Sequence, residues 1–572
     1  MRPGLRTLAA RTRSLASRHR FSLAVFAASS VAALRVGSLT PSDVDEGFYA
    51  LAAELVAHGR VPYRDFFYPQ APYLPYLLAP IALVSPTLTA MRAALSLCVA
   101  ATATVVAEGA RRATRAWEAG LAAAALYLVN ELTWQWGPSV RPYGLAGLLI
   151  VSAALLVSQE ERPSPRRSLV AGLLVGVAAG TRLLLLPAIA AVILAAWVRG
   201  ARWQRARAVA LALLLAHVLW APYGSQMSAL RWAAPLGLAI AAVGPRFIER
   251  ARRGVAASLG AAVALLPAAL LYRAAPEGFV FGNLAFHANR VVPSWGAGQA
   301  PWWAQRETWV YGLAGLAPIN HLSAFGVELA LMAVLSLVAL ALSPARRVVA
   351  PLAAASSVLL AALVPMPVIE HYFTVAVPML ALTAGVGVGA LLGDRPERSV
   401  AQRLALPLSL VAVCAVLGAP SFHRRWVRGL YGEFHLAAFR PRAVDAAAAW
   451  TRWALRRHPG PLLALWPGSA LGASGAVIPG TENHFARAAQ LPDDDALRRR
   501  LRVRSAAEVY GLVIRRVPSV VTFDREAEHL DPTRLRDVLE RCGYEPVHEI
   551  EGVVIVYARK PGPDACAPEP QR

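Results

Sequence analysis

The sequence predicts an α-helical polytopic membrane protein of about thirteen spans carrying a small α/β domain towards its C-terminal end. Three observations predict it. Of 572 residues, 56% are hydrophobic and only 16% are charged, against about 25% charged in ordinary soluble domains. Long apolar runs alternate with short loops, and every second loop is rich in arginine. From about Ser421 the composition becomes that of a small soluble domain.

The net charge is +23, from 58 basic and 35 acidic residues, and Lys560 is the sole lysine. A basic excess is one signature of nucleic-acid binding. Here the arginines cluster in short loops beside apolar spans, so they read as topology signals and exclude that class.

Residues 1–20 hold Arg2, Arg6, Arg11, Arg13, Arg18 and Arg20 ahead of the run Phe21–Val36. This places them in the cytoplasm, with the first span as a retained signal anchor. The membrane domain is expected over 21–420, with a first outer loop at 38–88. Spans follow near Thr89–Glu108, Trp117–Leu132 and Val140–Val157. A pair fills Leu169–Val198 and breaks at Gly180-Thr-Arg182. A second pair is expected at Ala208–Pro222 and Ala229–Val243. Val255–Leu271 leads to a long aromatic outer loop, 273–323, whose rings are expected mostly at the membrane interface. The last spans are Phe325–Leu342, Pro351–Val364, His371–Leu392 and Leu404–Leu417. An odd count puts residues 421–572 outside.

In that tail Ala443–Arg457 reads as a helix, Pro461–Trp466 as a strand and Tyr510–Phe523 as one or two strands. Asp531-Pro-Thr opens a helix that Gly543 ends. Val547–Ile550 and Val553–Tyr557 form a hairpin turning at Glu551-Gly552. There is no phosphate-loop pattern and no nucleophile elbow. Pro479-Gly-Thr-Glu-Asn-His-Phe485 reads as a connecting loop. Cys98 and Cys414 lie in apolar runs as packing residues, while Cys542 and Cys566 could pair in an oxidising compartment.

The candidate chemistry is in the first outer loop, Ser42-Asp-Val-Asp-Glu-Gly-Phe-Tyr49, continuing to Arg64-Asp-Phe-Phe-Tyr-Pro-Gln-Ala-Pro-Tyr73. Acidic residues beside a span face water, a cavity or a ligand, because lipid is costly for them. Ser42 and Asp45 have the form of a capping box, opening a helix with Phe48, Leu51, Ala52 and Leu55 on one face. Capping accounts for one acidic residue; Asp43, Asp45 and Glu46 beside Tyr49 and Tyr68 suggest a general base or metal ligands. Arg141 and Arg182 lie on the outer side against the positive-inside trend. Each either snorkels to the interface or grips a lipid phosphate. His371-Tyr372 stands at the outer end of a span. A metal could draw on a first-loop Asp or Glu together with a His from another loop, His371 or His287 (the latter near Asn289), although no close ligand spacing requires it.

The stretch Asp45-Glu-Gly-Phe-Tyr-Ala-Leu-Ala-Ala-Glu54 and then Gly59-Arg-Val-Pro-Tyr-Arg-Asp-Phe-Phe-Tyr-Pro-Gln-Ala-Pro-Tyr-Leu-Pro-Tyr76 resembles the first outer loop of C-type (GT-C fold) glycosyltransferases. It is most similar to the branch with protein O-mannosyltransferases and lipid A aminoarabinose transferases, as is His371-Tyr-Phe…Pro378. The resemblance covers residues 20–420. It implies transfer of a hexosyl or pentosyl group from a polyprenyl-phosphate carrier to an extracytoplasmic glycan, lipid or protein, at the bacterial inner membrane. It implies Asp45 as catalytic base and Glu46 as its acidic partner. Substrate contacts would come from Asp43, Tyr49, Arg64, Tyr68, Gln70, Arg141, Arg182, His371 and Tyr372, and a divalent metal ion is left open. The chain departs from the family where Ala71-Pro72 replaces a Pro-Pro pair, and arginine must hold phosphate because no membrane-domain lysine exists. Two other classes share many spans: a transporter, which more often has internal repeats and mid-membrane charges, and a non-catalytic envelope scaffold.

Overall fold

The computed structural model describes residues 19–158, 164–197, 247–289, 325–344, 347–365, 368–393, 399–422, 430–431, 434–435, 439–489, 491, 494–524, 530–550, 552–562 and 566. Expected spans at Ala208–Pro222 and Ala229–Val243 lie outside the described residues.

Helices dominate. The first, α1 (Arg20–Leu39), leads to α2 (Val44–Ala57) and α3 (Tyr73–Val84) in the first outer loop, and then α4 (Leu88–Thr114). The chain continues through α5 (Trp117–Val129), α6 (Glu131–Trp136), α7 (Tyr143–Ser158), α8 (Pro165–Thr181), α9 (Leu186–Trp197) and α10 (Phe247–Ala274). Short helices α11 (Pro276–Val280) and α12 (Phe286–Asn289) flank a π-turn, and α13 (Phe325–Leu342), α14 (Val349–Ala362), α15 (Val377–Leu392) and α16 (Val400–Phe422) complete the membrane part. Among the described residues, six helices are long and apolar enough to cross a membrane. The expected break at Gly180-Thr-Arg182 is present: Arg182 is extended, with φ −161°, between α8 and α9.

Local chemistry explains the helix ends. Thr87 caps α4, its hydroxyl accepting from the Ala90 N–H at 3.3 Å, and Arg111 and Arg112 occupy the last turn, where cations complement the helix dipole. The capping box of α2 differs from the expected Ser42–Asp45 pair. Asp43 is the N-cap, accepting from the Asp45 N–H at 2.9 Å, and Glu46 accepts from the Asp43 N–H at 2.8 Å. The helix starts one residue later because Asp is as good a cap as Ser and Glu46 stands three residues beyond it.

The tail holds a short hairpin, β1 (Leu430–Tyr431) and β2 (Phe434–His435), followed by α17 (Pro441–Arg457) and β3 (Leu462–Ala464). Helices α18 (Asp495–Leu501) and α19 (Ala506–Ile514) precede β4 (Val520–Asp524). Then come α20 (Pro532–Arg541), β5 (Tyr544–Ile550) and β6 (Val554–Arg559). The sheet order is β3-β4-β6-β5, parallel only between β3 and β4. Asp531 caps α20 with Pro532 in its first turn, and Gly543 (φ +74°) and Gly552 (φ +67°) supply the turns that need positive φ. The expectation of one or two strands within Tyr510–Phe523 is met by one, β4 from Val520, and residues Tyr510–Ile514 belong to α19. Val509, Leu512 and Val513 are buried in a helix opened by the Ser505–Glu508 capping box. Cys542 and Cys566 form a disulfide, and Cys98 and Cys414 are free thiols.

The tail and the first outer loop share one apolar core, which joins Phe48, Tyr49 and Leu51 to Trp466, Leu471 and Val556. Trp466 donates its indole N–H to the Val44 carbonyl at 2.7 Å. Glu54 of α2 accepts from the Gly472 N–H at 2.7 Å and the Ser474 N–H at 3.2 Å. Asp445 of α17 accepts from the Leu88 N–H at 2.7 Å and the Thr89 N–H at 3.2 Å, capping α4 from the tail. Gly47 is the point of closest approach: a Cβ there would lie 2.6 Å from both the Gly468 nitrogen and the Trp466 ring. Gly47→Ala is therefore expected to cost about 1–3 kcal/mol by overpacking. The readouts are a lower melting temperature in detergent and faster proteolysis between α16 and α17. An unchanged melting curve would mean that α2 and Trp466 do not pack this way.

Candidate active site

The site begins with Glu46, which is fully buried. Its Oε2 accepts from Arg92 Nε at 2.7 Å and from the Val140 N–H at 2.7 Å, and its Oε1 also pairs with Arg92. Arg92, 2% exposed, also donates to the Gly37, Thr40 and Pro41 carbonyls at 2.9, 2.6 and 3.0 Å. Both oxygens of Glu46 are thus committed to internal partners. The residue holds the end of α1, the start of α2 and the turn before α7 together.

On the neighbouring face of α2, Asp43 and Asp45 both pair with Arg141. Its Nη2 lies 2.8 Å from Asp45 Oδ2 and also bonds Asp43 Oδ1. The two carboxylates keep 24% and 22% of their side-chain surface exposed, whereas Arg141 keeps 3%. Nη1 of Arg141 donates to His371 Nε2 at 3.2 Å. A guanidinium has no acceptor, so in this geometry the neutral ring carries its proton on Nδ1. The Arg141 guanidinium also lies 5.1 Å from the Trp136 ring.

The other side of the site is phenolic. Arg182 donates to the Tyr143 hydroxyl and lies over the rings of Tyr372 and Tyr143, at 4.6 and 5.4 Å. Among the described residues no carboxylate pairs with it. Tyr49 lies within electrostatic reach of Arg182, Tyr143, Asp45 and Arg141, and burial pushes its phenol well above the ordinary range. Burial does the same to Tyr68, which neighbours Tyr49, Tyr63 and Arg182. The Tyr68 hydroxyl is buried with no hydrogen-bond partner among the described residues.

The structure therefore brings together Asp43, Asp45, Tyr49, Tyr68, Arg141, Arg182, His371 and Tyr372. Arg64 stands apart: it pairs with Asp65 at 2.8 Å and is 54% exposed. Gln70 contributes its carbonyl to the Tyr63 hydroxyl at 2.5 Å. His287 bonds the Pro69 carbonyl at 2.7 Å, and the side chain of Asn289 lies outside what is described. Among the described residues no group of three or more His, Cys, Asp or Glu side chains is placed to hold a metal. Sequence reasoning missed Tyr143 and Arg92. Tyr143 stands two residues after Arg141, as the first residue of α7. The clue for Arg92 was an arginine set inside an apolar run.

The expected interface rings of the long loop divide. Phe279 packs 5.0 Å from Tyr63, while Phe281 and Phe286 pack 5.4 and 5.1 Å from Phe67. They meet the first loop because its Phe66-Phe67-Tyr68 run offers an apolar surface. Trp295, Trp302, Trp303, Trp309 and Tyr311 lie outside the described residues. His484 and Phe485, in the expected connecting loop, pack against Phe48 at 6.5 and 5.9 Å. The buried Glu482 beside them pairs with Arg60 at 3.2 Å, and burial raises its carboxyl above the usual range.

The buried pair yields a stability prediction. Arg92→Leu leaves the Glu46 charge uncompensated and is expected to cost about 3–5 kcal/mol. Adding Glu46→Leu should recover part of that loss, because no buried charge then remains. Thermal unfolding of the single and double variants checks this, and additive losses would contradict it.

No protein-family model and no curated protein matches the chain. Among solved structures it is similar to ArnT from Cupriavidus metallidurans bound to undecaprenyl phosphate. The TM-score is 0.53 at 15% identity, over 94% of this chain and 99% of that one. The apo form of the same protein gives a TM-score of 0.51 at 15% identity with the same coverage. The chain has the ArnT-like, GT-C membrane fold that its first outer loop resembles.

Proposed function

We propose that the protein is a membrane glycosyltransferase that moves a sugar from a polyprenyl-phosphate carrier to an acceptor outside the cytoplasm, with Asp45 as general base. The observation that carries this reading is the contrast between two arginines. Arg141 is committed to Asp43, Asp45 and His371, whereas among the described residues Arg182 is bonded to a phenol alone and lies among aromatic rings. A guanidinium inside a protein needs an anion to offset its lost hydration, and a planar fork suits a phosphate. The ArnT structure with undecaprenyl phosphate supports a lipid-phosphate donor for this fold.

The chemistry then divides along α2. Asp45 takes the proton of an acceptor hydroxyl or amine as that group attacks the anomeric carbon. The bond from that carbon to the phosphate oxygen breaks, and the electron pair stays with the carrier phosphate. Arg182, with the Tyr143, Tyr49 and Tyr68 hydroxyls as neighbouring donors, stabilises the developing charge. Arg141 and Glu46 are positioning residues: the first fixes the carboxylate, the second fixes the helix that carries it. The arginine-rich loops favour the extracytoplasmic side for this site and the C-terminal domain.

Asp45→Asn keeps size and removes basicity. Turnover of a polyprenyl-phosphate sugar is expected to fall by about 10²–10⁴-fold, with the melting temperature nearly unchanged. Full turnover in that variant would remove Asp45 from the mechanism. Arg182→Ala is expected to weaken donor use, and Arg182→Lys to restore it only partly, since lysine lacks the fork. Unaltered donor kinetics would return Arg182 to an interfacial role. For sidedness, a C-terminal reporter that requires export should be active, and activity from a cytoplasm-only reporter would overturn the assignment.

A further inference from the structure

Helix α17 has a face that the sheet touches only through its two tryptophans and that otherwise stays exposed. Its inner face, Val444, Ala447, Ala448, Thr451 and Ala454, is buried and packs over β4, β5 and β6. The opposite face carries Arg442, Ala446, Trp450, Trp453 and Arg457 at spacings of three and four, one stripe along a helix. Arg442, Ala446, Ala449, Arg456 and Arg457 are exposed, and the two tryptophans are half-buried. The rings are fixed: Trp450 lies flat on His548 at 3.6 Å, Trp453 meets Trp450 edge-on at 5.2 Å, and Arg457 covers Trp453 at 3.8 Å.

Two contacts give the height of this face. Asp445, on the flank between the faces, reaches the first N–H groups of α4, one of the long apolar spans. Immediately before that span, Leu83 and Val84 are 66% and 87% exposed, which marks a lipid-facing boundary. The sheet covers the inner face of α17 and reaches Trp450 through His548, the span begins at its flank, and Arg442, Ala446, Ala449, Arg456 and Arg457 remain exposed. Tryptophan and arginine are the residues that membrane–water interfaces select.

We infer that α17 lies along the bilayer surface at the level where α4 begins, with Trp450 and Trp453 in the interface and Arg442, Arg456 and Arg457 on the phosphates of anionic lipids. Other occupants fit less well. A sugar would stack on open indole faces, yet His548 and Arg457 already cover one face of each ring. A second copy would bring the same positive stripe against this one, and no carboxylate on this face would offset it.

The test uses the full chain in nanodiscs, with a benzophenone amino acid placed at Ala446 or, separately, at Ala449, and mass spectrometry after irradiation. Lipid adducts are expected at both positions, and at Leu408 in α16, which is 61% exposed. None is expected at Glu540 on the exposed face of α20. The adduct yield at Ala446 should be about threefold higher with phosphatidylglycerol than with phosphatidylcholine alone. Arg442→Gln with Arg456→Gln and Arg457→Gln should abolish that preference. Absence of lipid adducts at both alanines while Leu408 reacts would overturn the inference, as would crosslinks to a second protein chain in their place.

Discussion

The arrangement of the outer site depends on one buried ion pair. Glu46 and Arg92 together satisfy three carbonyls at the end of α1, one N–H at the start of α2 and one N–H before α7. A charge pair shielded from water is stable only when its remaining lone pairs and protons are also bonded. Here they are bonded to backbone groups that belong to three different parts of the chain. The Val140 N–H held by Glu46 lies next to Arg141, and the Asp43 N–H lies at the head of the helix bearing Asp45. The same carboxylate thus sets both sides of the Arg141–aspartate contact. Its geometry follows from the backbone and needs little from flexible side chains.

The C-terminal domain belongs to that scaffold. Helix α2 is buried from Glu46 to Leu55, a degree of enclosure that a surface loop beside a membrane cannot reach alone. Trp466 closes one end through Gly47 and the Val44 carbonyl, and Glu54 closes the other by capping Gly472 and Ser474. Asp445 and Phe439 reach the flanking segments, Phe439 through its carbonyl and the Ser42 N–H at 2.7 Å. A general base works best when its rotamer and its support are fixed before substrate arrives. Packing α2 between spans and sheet supplies that fixity for Asp45, the proposed base, which keeps its carboxylate partly open.

Much of this was legible in the sequence because it rests on local rules. Apolar length predicted the apolar helices found among the described residues, six of them long enough to cross a membrane against about thirteen expected spans, and the break at Arg182 followed from an arginine between two short apolar runs. The Asp531, Gly543 and Gly552 signals gave the ends of α20 and the last hairpin. The capping box was misplaced by one residue because Ser42 and Asp43 are equivalent caps by type, and only the position of Glu46 decides between them. Glu46 read as a reactive carboxylate because nothing local in the sequence reveals Arg92, forty-six positions away. The helix at Ala506–Ile514 was hidden by β-branched and aromatic residues that pack equally well on a strand. The contact of His484 and Phe485 with Phe48 is a long-range contact, and no pattern along the chain encodes it.

What the site can do follows from how its charges are divided. Asp43 and Asp45 are held by Arg141, so that end of α2 combines negative charge with one firmly placed cation. One helical turn on, Tyr49 lies between this group and Arg182. There the positive charge is surrounded by phenols and rings, and no described carboxylate offsets it. An anion is therefore favoured at the Arg182 end and repelled at the Asp45 end. A nucleophile that must lose a proton is favoured in the opposite sense. On α2 the residues turned towards the two ends, Asp45 and Tyr49, stand about one turn of an α-helix apart, roughly 5.4 Å. This is the spatial order that the proposed displacement at carbon requires, with the attacking group on one side of the reacting atom and the departing phosphate on the other.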